Sequence, residues 1–201
     1  MAEIAATRSA ALALIDERAL MRQGYEFLDE KRMLLAAEML RRLSQHEDLS
    51  AQLMQAMSAA QAALRQALLR HGLEGLQACP PMTPSPAAPR TERSLFLGVP
   101  LLIATLGPLA GADPPAVDAS PEARCCRAAF VAALPLLLQL AAISNNLERL
   151  AAEYRRTERR ARALENVLLP EIDGSLATIE GQLELADQEE ALRIRLTGRR
   201  R

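Results

Sequence analysis

Arg155-Arg156-Thr157-Glu158-Arg159-Arg160-Ala161-Arg162-Ala163-Leu164-Glu165-Asn166-Val167-Leu168-Leu169-Pro170 decides the fold. An arginine-rich turn runs into an apolar row and then meets a proline, inside one long helical pattern. The row extends both ways as Leu147, Leu150, Tyr154, Thr157, Ala161, Leu164, Leu168, Ile172, Leu176, Ile179, Leu183 and Ala186. Its steps alternate threes and fours, with a run of fours near Pro170. Such alternation is the seam of a coiled coil, and the run of fours is a stutter that locally unwinds a left-handed supercoil. Pro170 removes a helix hydrogen bond, so the spacing predicts a bend there, and Pro135 predicts another. The helix is expected to start near Ser120-Pro121-Glu122, with Ser as cap and Pro in the first turn.

The N-terminal part carries a matching pattern. Leu14, Met21, Leu28 and Leu35 are spaced by seven, and so are Leu20, Phe27 and Leu34 one position earlier. Two adjacent rows predict an apolar stripe on a helix from about Ser9 to about Arg70, resumed at Leu49, Leu53, Met57, Ala60 and Leu64. Gly24 lies on the stripe, where close approach of a partner helix would explain it. Gly72 and Gly75 suit the stop.

Between the helices the composition changes. Ten of the twelve prolines and five of the nine glycines lie between His71 and Pro121. That punctuation predicts three parts: 1–71 a helix, 72–121 a Pro/Gly-rich lobe, 122–201 a helix. Within the lobe, Ser94–Leu97 and Leu101–Leu106 read as short strands around Gly98-Val99-Pro100. Cys79–Pro86 reads as an extended connector. Neither long helix can bury its stripe alone. The economical arrangement is an antiparallel pair, so the fold class is all-α: a long two-helix coiled coil with a small irregular lobe that has room for a short β-hairpin.

Composition agrees. Half the residues are hydrophobic, but only 2% are aromatic and Trp is absent, which suits narrow Ala/Leu seams rather than a thick core. A net charge of −1 gives no global field for nucleic acid. Cys79, Cys125 and Cys126 make an odd count without metal-ligand spacing, so reduced thiols are expected and no disulfide framework. The N-terminus lacks the apolar core of a signal peptide. The uncharged stretches at 94–112 and 128–147 are broken by Pro, Gly or amides, and no direct transmembrane span is expected.

No catalytic motif is present: no glycine-rich phosphate loop, no GxSxG, no HExxH. His46 and His71 lack spaced partners and read as surface residues. Asp29-Glu30 and Glu189-Glu190 are consecutive on a helix, point in different directions, and read as solvated faces. No catalytic residue, cofactor or metal is expected. Three readings of the arginine cluster stand: a solvated face with pairs such as Glu158 with Arg162, a phosphate contact, or contact with an acidic protein surface.

Arg156-Thr157-Glu158-Arg159-Arg160-Ala161-Arg162-Ala163-Leu164-Glu165, then Leu169-Pro170, then Leu192-Arg193-Ile194-Arg195-Leu196, resemble the C-terminal pattern of the D subunit of V-type and A-type rotary ATPases. Thr7-Arg8, Gly24 and Phe27-Leu28-Asp29-Glu30-Lys31-Arg32 resemble its N-terminal pattern, and Leu134-Pro135-Leu136 a further step. Asp29 and Glu30 stand where Lys is common, and Ala163 where Asn is. The resemblance implies a central rotor shaft: a non-catalytic component of a proton- or sodium-translocating ATPase or ATP synthase, transmitting torque between the A–B hexamer and the membrane ring. The implied partners are the catalytic A and B subunits, the F subunit and the component capping the ring, with no nucleic acid. The implied location is cytoplasmic, peripheral to the membrane, in the soluble sector. The subunit-interface candidates are Thr7, Arg8, Gly24, Lys31, Arg32, Arg155, Arg156, Arg159, Arg160, Arg162 and Pro170. The competing class is a freestanding coiled-coil scaffold or adaptor, one able to associate with a membrane.

Overall fold

The computed structural model describes residues 7–77, 89–107 and 120–198. The elements run α1 (Arg8–Gln77), β1 (Arg90–Phe96), β2 (Val99–Thr105), α2 (Pro121–Ala163), a π turn (Leu164–Leu168) and α3 (Leu169–Gly198). Among the described residues the protein is all-α apart from a two-stranded antiparallel hairpin in the middle of the chain. The expected connector at Cys79–Pro86 lies outside the described residues. The chain divides into two compact units, Met1–Leu34 with Tyr154–Arg201, and Leu35–Glu153.

In the first unit, α1 begins at a cap. Thr7 Oγ1 accepts the Ala10 N–H at 3.2 Å, satisfying an amide that the helix leaves unpaired. Ala11, Leu176 and Ile179 form a buried cluster, with Ala10, Leu14 and Leu183 packed against it. Arg8 Nη2 reaches both oxygens of Asp187, at 3.3 and 3.2 Å, and Arg18 reaches Asp173 at 2.7 Å. As one partner's number rises the other's falls, so α1 and α3 are antiparallel.

The seam differs from the expected one in two places. Leu20, Phe27 and Leu34 are exposed, by 63%, 65% and 46%. A single facing helix covers only a narrow stripe, and the row one position off lies beyond it. The run of fours at Leu164–Leu168–Ile172 is absent. Leu168 is exposed and Leu169 half-buried instead, because the chain makes a π turn in which the Leu169 N–H donates to the Leu164 carbonyl. A step of five and a step of three replace two steps of four.

In the second unit, Leu35, Ala60, Ala67, Ala133 and Leu150 are buried helix positions of a largely alanine seam. α1 runs past the expected end at Arg70, with a break at Gly72 (φ 67°, ψ 177°), a conformation essentially restricted to glycine. The start of α2 matches the expected cap: Ser120 Oγ accepts the Ala123 N–H at 3.1 Å. The same hydroxyl meets His71 Nε2 at 2.6 Å, and Arg70 pairs with Glu122 at 2.8 Å. These contacts staple the end of α1 to the start of α2. α2 continues unbroken through Pro135.

The strands are longer than expected, and the turn is Leu97-Gly98 rather than Gly98-Val99-Pro100. Both turn residues have positive φ, 49° and 86°, as a two-residue hairpin of matching twist requires. Phe96 pairs with Val99, so bonded pairs fall at every second position and Leu95–Pro100 is a non-bonded pair. Pro100 therefore costs no ladder bond. Leu102, opposite Arg93, turns its N–H and C=O away from β1. Asn146 of α2, fully buried, takes both: its Oδ1 accepts the Leu102 N–H and its Nδ2 donates to the Leu102 carbonyl, each at 2.7 Å. Arg149 adds a bond to the Pro100 carbonyl at 2.9 Å.

The helical stretch Pro121–Thr197 contains a window apolar enough to cross a membrane by length and composition. Only 17% of that window is buried within the chain, so its apolar surface is largely uncovered.

Candidate functional site

All eleven candidate residues fall in the first unit. Thr157 and Ala161, both 2% exposed, fix the inward side of α2 there. At 100° per residue, Arg155, Arg159 and Arg162 then point outward and Arg156 and Arg160 lie on one flank. All five are exposed. Arg159 Nε donates to the Arg155 carbonyl at 3.3 Å, and Arg162 Nη2 to Glu158 Oε1 at 2.6 Å, the pair anticipated from sequence. Within residues 155–162 five arginines stand beside a single carboxylate, Glu158, so the face is basic.

The antiparallel register that sets Gly24 beside Leu164 brings Lys31 level with Thr157 and Arg32 level with Arg156. Arg32 is tied to Asp29 one turn earlier. The basic cluster is therefore that of α2, while on α1 Lys31 and Arg32 follow directly on the acidic Asp29 and Glu30. Thr7 and Arg8 stand apart from it, as a helix cap and an inter-helix ion pair. Gly24 is not forced by crowding: a Cβ there would meet Leu164 Cδ1 at 3.8 Å, an ordinary contact. Pro170 is exposed, just beyond the π turn.

Tyr25 and Glu165 were not singled out in the sequence, yet they face each other across the helices. The Tyr25 hydroxyl donates to the Glu165 carboxylate, and that neighbouring negative charge is the main cause pushing the phenol above its ordinary value. Glu38, in the second unit, is a buried carboxylate held by its own helix. Arg41 grips it twice, at 2.8 and 2.7 Å, and Arg42 once, at 2.7 Å. The Arg41 hydrogen bond, followed by that from Arg42, holds Glu38 below the usual glutamate range against the effect of burial. Only the arginines three and four residues on could have signalled it in the sequence.

Nothing among the described residues assembles catalytic chemistry. No group of His, Cys, Asp and Glu among them has metal-binding geometry. His71 is half-buried on Ser120 rather than a solvated surface residue. A cleft of about 390 Å³ in the second unit lies among Arg42, Asp48, Leu49, Thr105, Gln139 and Ile143, and its polar lining includes the Asp48 carboxylate and the Thr105 hydroxyl. Burial pushes the Cys126 thiol up, which makes it a poor nucleophile.

The family model for the ATP synthase D subunit matches residues 10–198. The V-type ATP synthase D subunit 2 of Treponema pallidum is 31% identical over 191 residues, 92% of this chain and 90% of that protein. The V-type ATP synthase D subunit of Thermotoga neapolitana is 28% identical over 96% of this chain and 95% of its own. That of Anaeromyxobacter dehalogenans strain 2CP-C is 30% identical over 97% and 95%.

Proposed function

This chain belongs to the ATP synthase D subunit family, and on that premise we propose that it is the central shaft of a V/A-type rotary ATPase. Its work is mechanical. It transmits torque between a nucleotide-hydrolysing or -synthesising A–B hexamer and a membrane ion-translocating ring, and it carries no catalytic residue or cofactor. Its partners are the A and B subunits, the F subunit and the ring-capping component. It sits on the cytoplasmic side, peripheral to the membrane, in the soluble sector. Residues 1–71 and 122–201 serve as the shaft helices and 72–121 as the lobe.

The observation that carries this reading is an exposed arginine cluster on one of two long helical segments that pair antiparallel. Torque needs a stiff paired element, and register against surrounding subunits needs contacts that guide without holding. Exposed guanidiniums do this: their attraction to acidic loops is screened and individually weak, so no angular position becomes a trap. A pair of helices that differ in side chain presents unlike faces to chemically identical sites as it turns, and so biases them unequally. The largely uncovered apolar window in the stretch Pro121–Thr197 fits a helix covered by partner proteins.

The test is purification of the tagged chain from its native membranes with mass spectrometry of what accompanies it. The expected result is large nucleotide-binding A and B subunits with a small F-like protein. Recovery of the chain alone, or with unrelated proteins, overturns the shaft reading in favour of a freestanding scaffold.

A further inference from the structure

The seam on either side of the π turn is one pattern interrupted by one residue. Upstream it reads Leu150, Tyr154, Thr157, Ala161, Leu164, in steps of four, three, four, three. Downstream it reads Leu169, Ile172, Leu176, Ile179, Leu183, in steps of three, four, three, four. Removing any single residue between Leu164 and Leu169 joins the two into an unbroken alternation. The chain thus holds a one-residue skip, and the π turn absorbs it so that both halves still face α1. The excess appears on the outside, where Val167 is 50% exposed and Leu168 39%.

The skip sits where the backbone is weakest. Pro170 has no N–H to give to the carbonyl of Glu165 or Asn166. Two things hold the turn from the opposite helix: the Tyr25 hydroxyl on the Glu165 carboxylate, and Leu164 lying over Gly24. We propose that the π turn is a compliant joint in the helix and that Tyr25, acting through Glu165, is the positioning residue that clasps it. The proposal rests on the shaft reading for its purpose, since a joint here yields locally under torque, but not for its existence. π turns occur often at functional positions because they store an alternative hydrogen-bonding register.

Amide hydrogen exchange on the full-length chain tests it. Residues 164–170 should open faster than 155–163 and 172–179, as a local rather than global event. Tyr25→Phe keeps the ring and removes the hydroxyl. It should speed exchange in 164–170 by about fivefold, the effect of one hydrogen bond of ordinary net strength, and leave 172–179 unchanged. Glu165→Gln should act in the same direction, because a charge-assisted bond is replaced by a neutral one. Deleting Val167 should slow exchange across the joint without lowering the unfolding midpoint, since it restores a continuous seam. Equal protection along the helix in the wild type overturns the proposal. So does acceleration spread evenly over the first unit by Tyr25→Phe, which would mark Tyr25 as merely structural. So does a Val167 deletion that lowers the midpoint. All these readouts use the chain alone, so they stand or fall separately from whether it purifies with rotary partners.

Discussion

Gly24 and Glu38 are inward positions of α1 that a simple apolar stripe would fill with leucine. At Gly24 there is room for a methyl group, so Gly24→Ala removes flexibility without a clash. It should raise stability by up to about 1 kcal/mol in denaturant unfolding. A loss instead would mean that the helices approach more closely than the 3.8 Å contact indicates. Glu38 was not legible in the sequence, because its burial is set by the facing helix and its neutralisation by arginines one turn on. Its folded carboxyl titrates below the ordinary value near 4.5. The stability it contributes is therefore present above that value and lost as pH falls through and below it. Glu38→Gln should cost about 1–2 kcal/mol at pH 7 and much less at pH 3, by denaturant unfolding at both. An equal cost at both would assign the effect to packing rather than charge.

Among the elements, the long helices were readable because a sevenfold apolar pattern survives any local detail. Leu14, Met21, Leu28 and Leu35 do turn inward. The hairpin was readable only where it is apolar. The outer half of β1, Arg90-Thr91-Glu92-Arg93, has no strand signature, being an exposed edge that charge protects from wrong pairing. What fixes the hairpin is also invisible in its own residues: a side chain from α2 supplies the partner for a strand backbone. Asn146→Ala leaves the Leu102 N–H and C=O unpaired in a half-buried place and should cost about 2 kcal/mol. Exchange at Leu102 should rise with it while the α1 amides at 11–35 stay protected. Unchanged exchange at Leu102 would mean that the two 2.7 Å bonds do not hold the hairpin.

At the scale of the whole molecule, the division into two units was not legible. The helical periodicity runs straight past Leu34–Leu35 and Glu153–Tyr154, so nothing in it marks a boundary. The basic band was legible as a cluster at 155–162, but which of its arginines face outward emerges only once Thr157 and Ala161 are seen to turn inward. If the band guides the chain against acidic surroundings, replacing Arg155, Arg156, Arg159, Arg160 and Arg162 by Gln should lower the coupling of hydrolysis to ion transport in the assembled complex. Stability of the isolated chain should change by less than about 1 kcal/mol, because the side chains are exposed. Unchanged coupling would leave the arginines as a solvated face.

The pairing of Arg8 with Asp187 spans 179 residues of chain. A ribosome adding about 5–20 residues per second takes roughly 10–35 s between making the one and making the other. For most of that interval Leu14 has nothing to lie against, for Leu176 and Ile179 are among the last residues translated. Asn146 likewise emerges long after the strand it secures. The order in which the antiparallel partners leave the ribosome therefore sets how long the stripe of α1 stays uncovered.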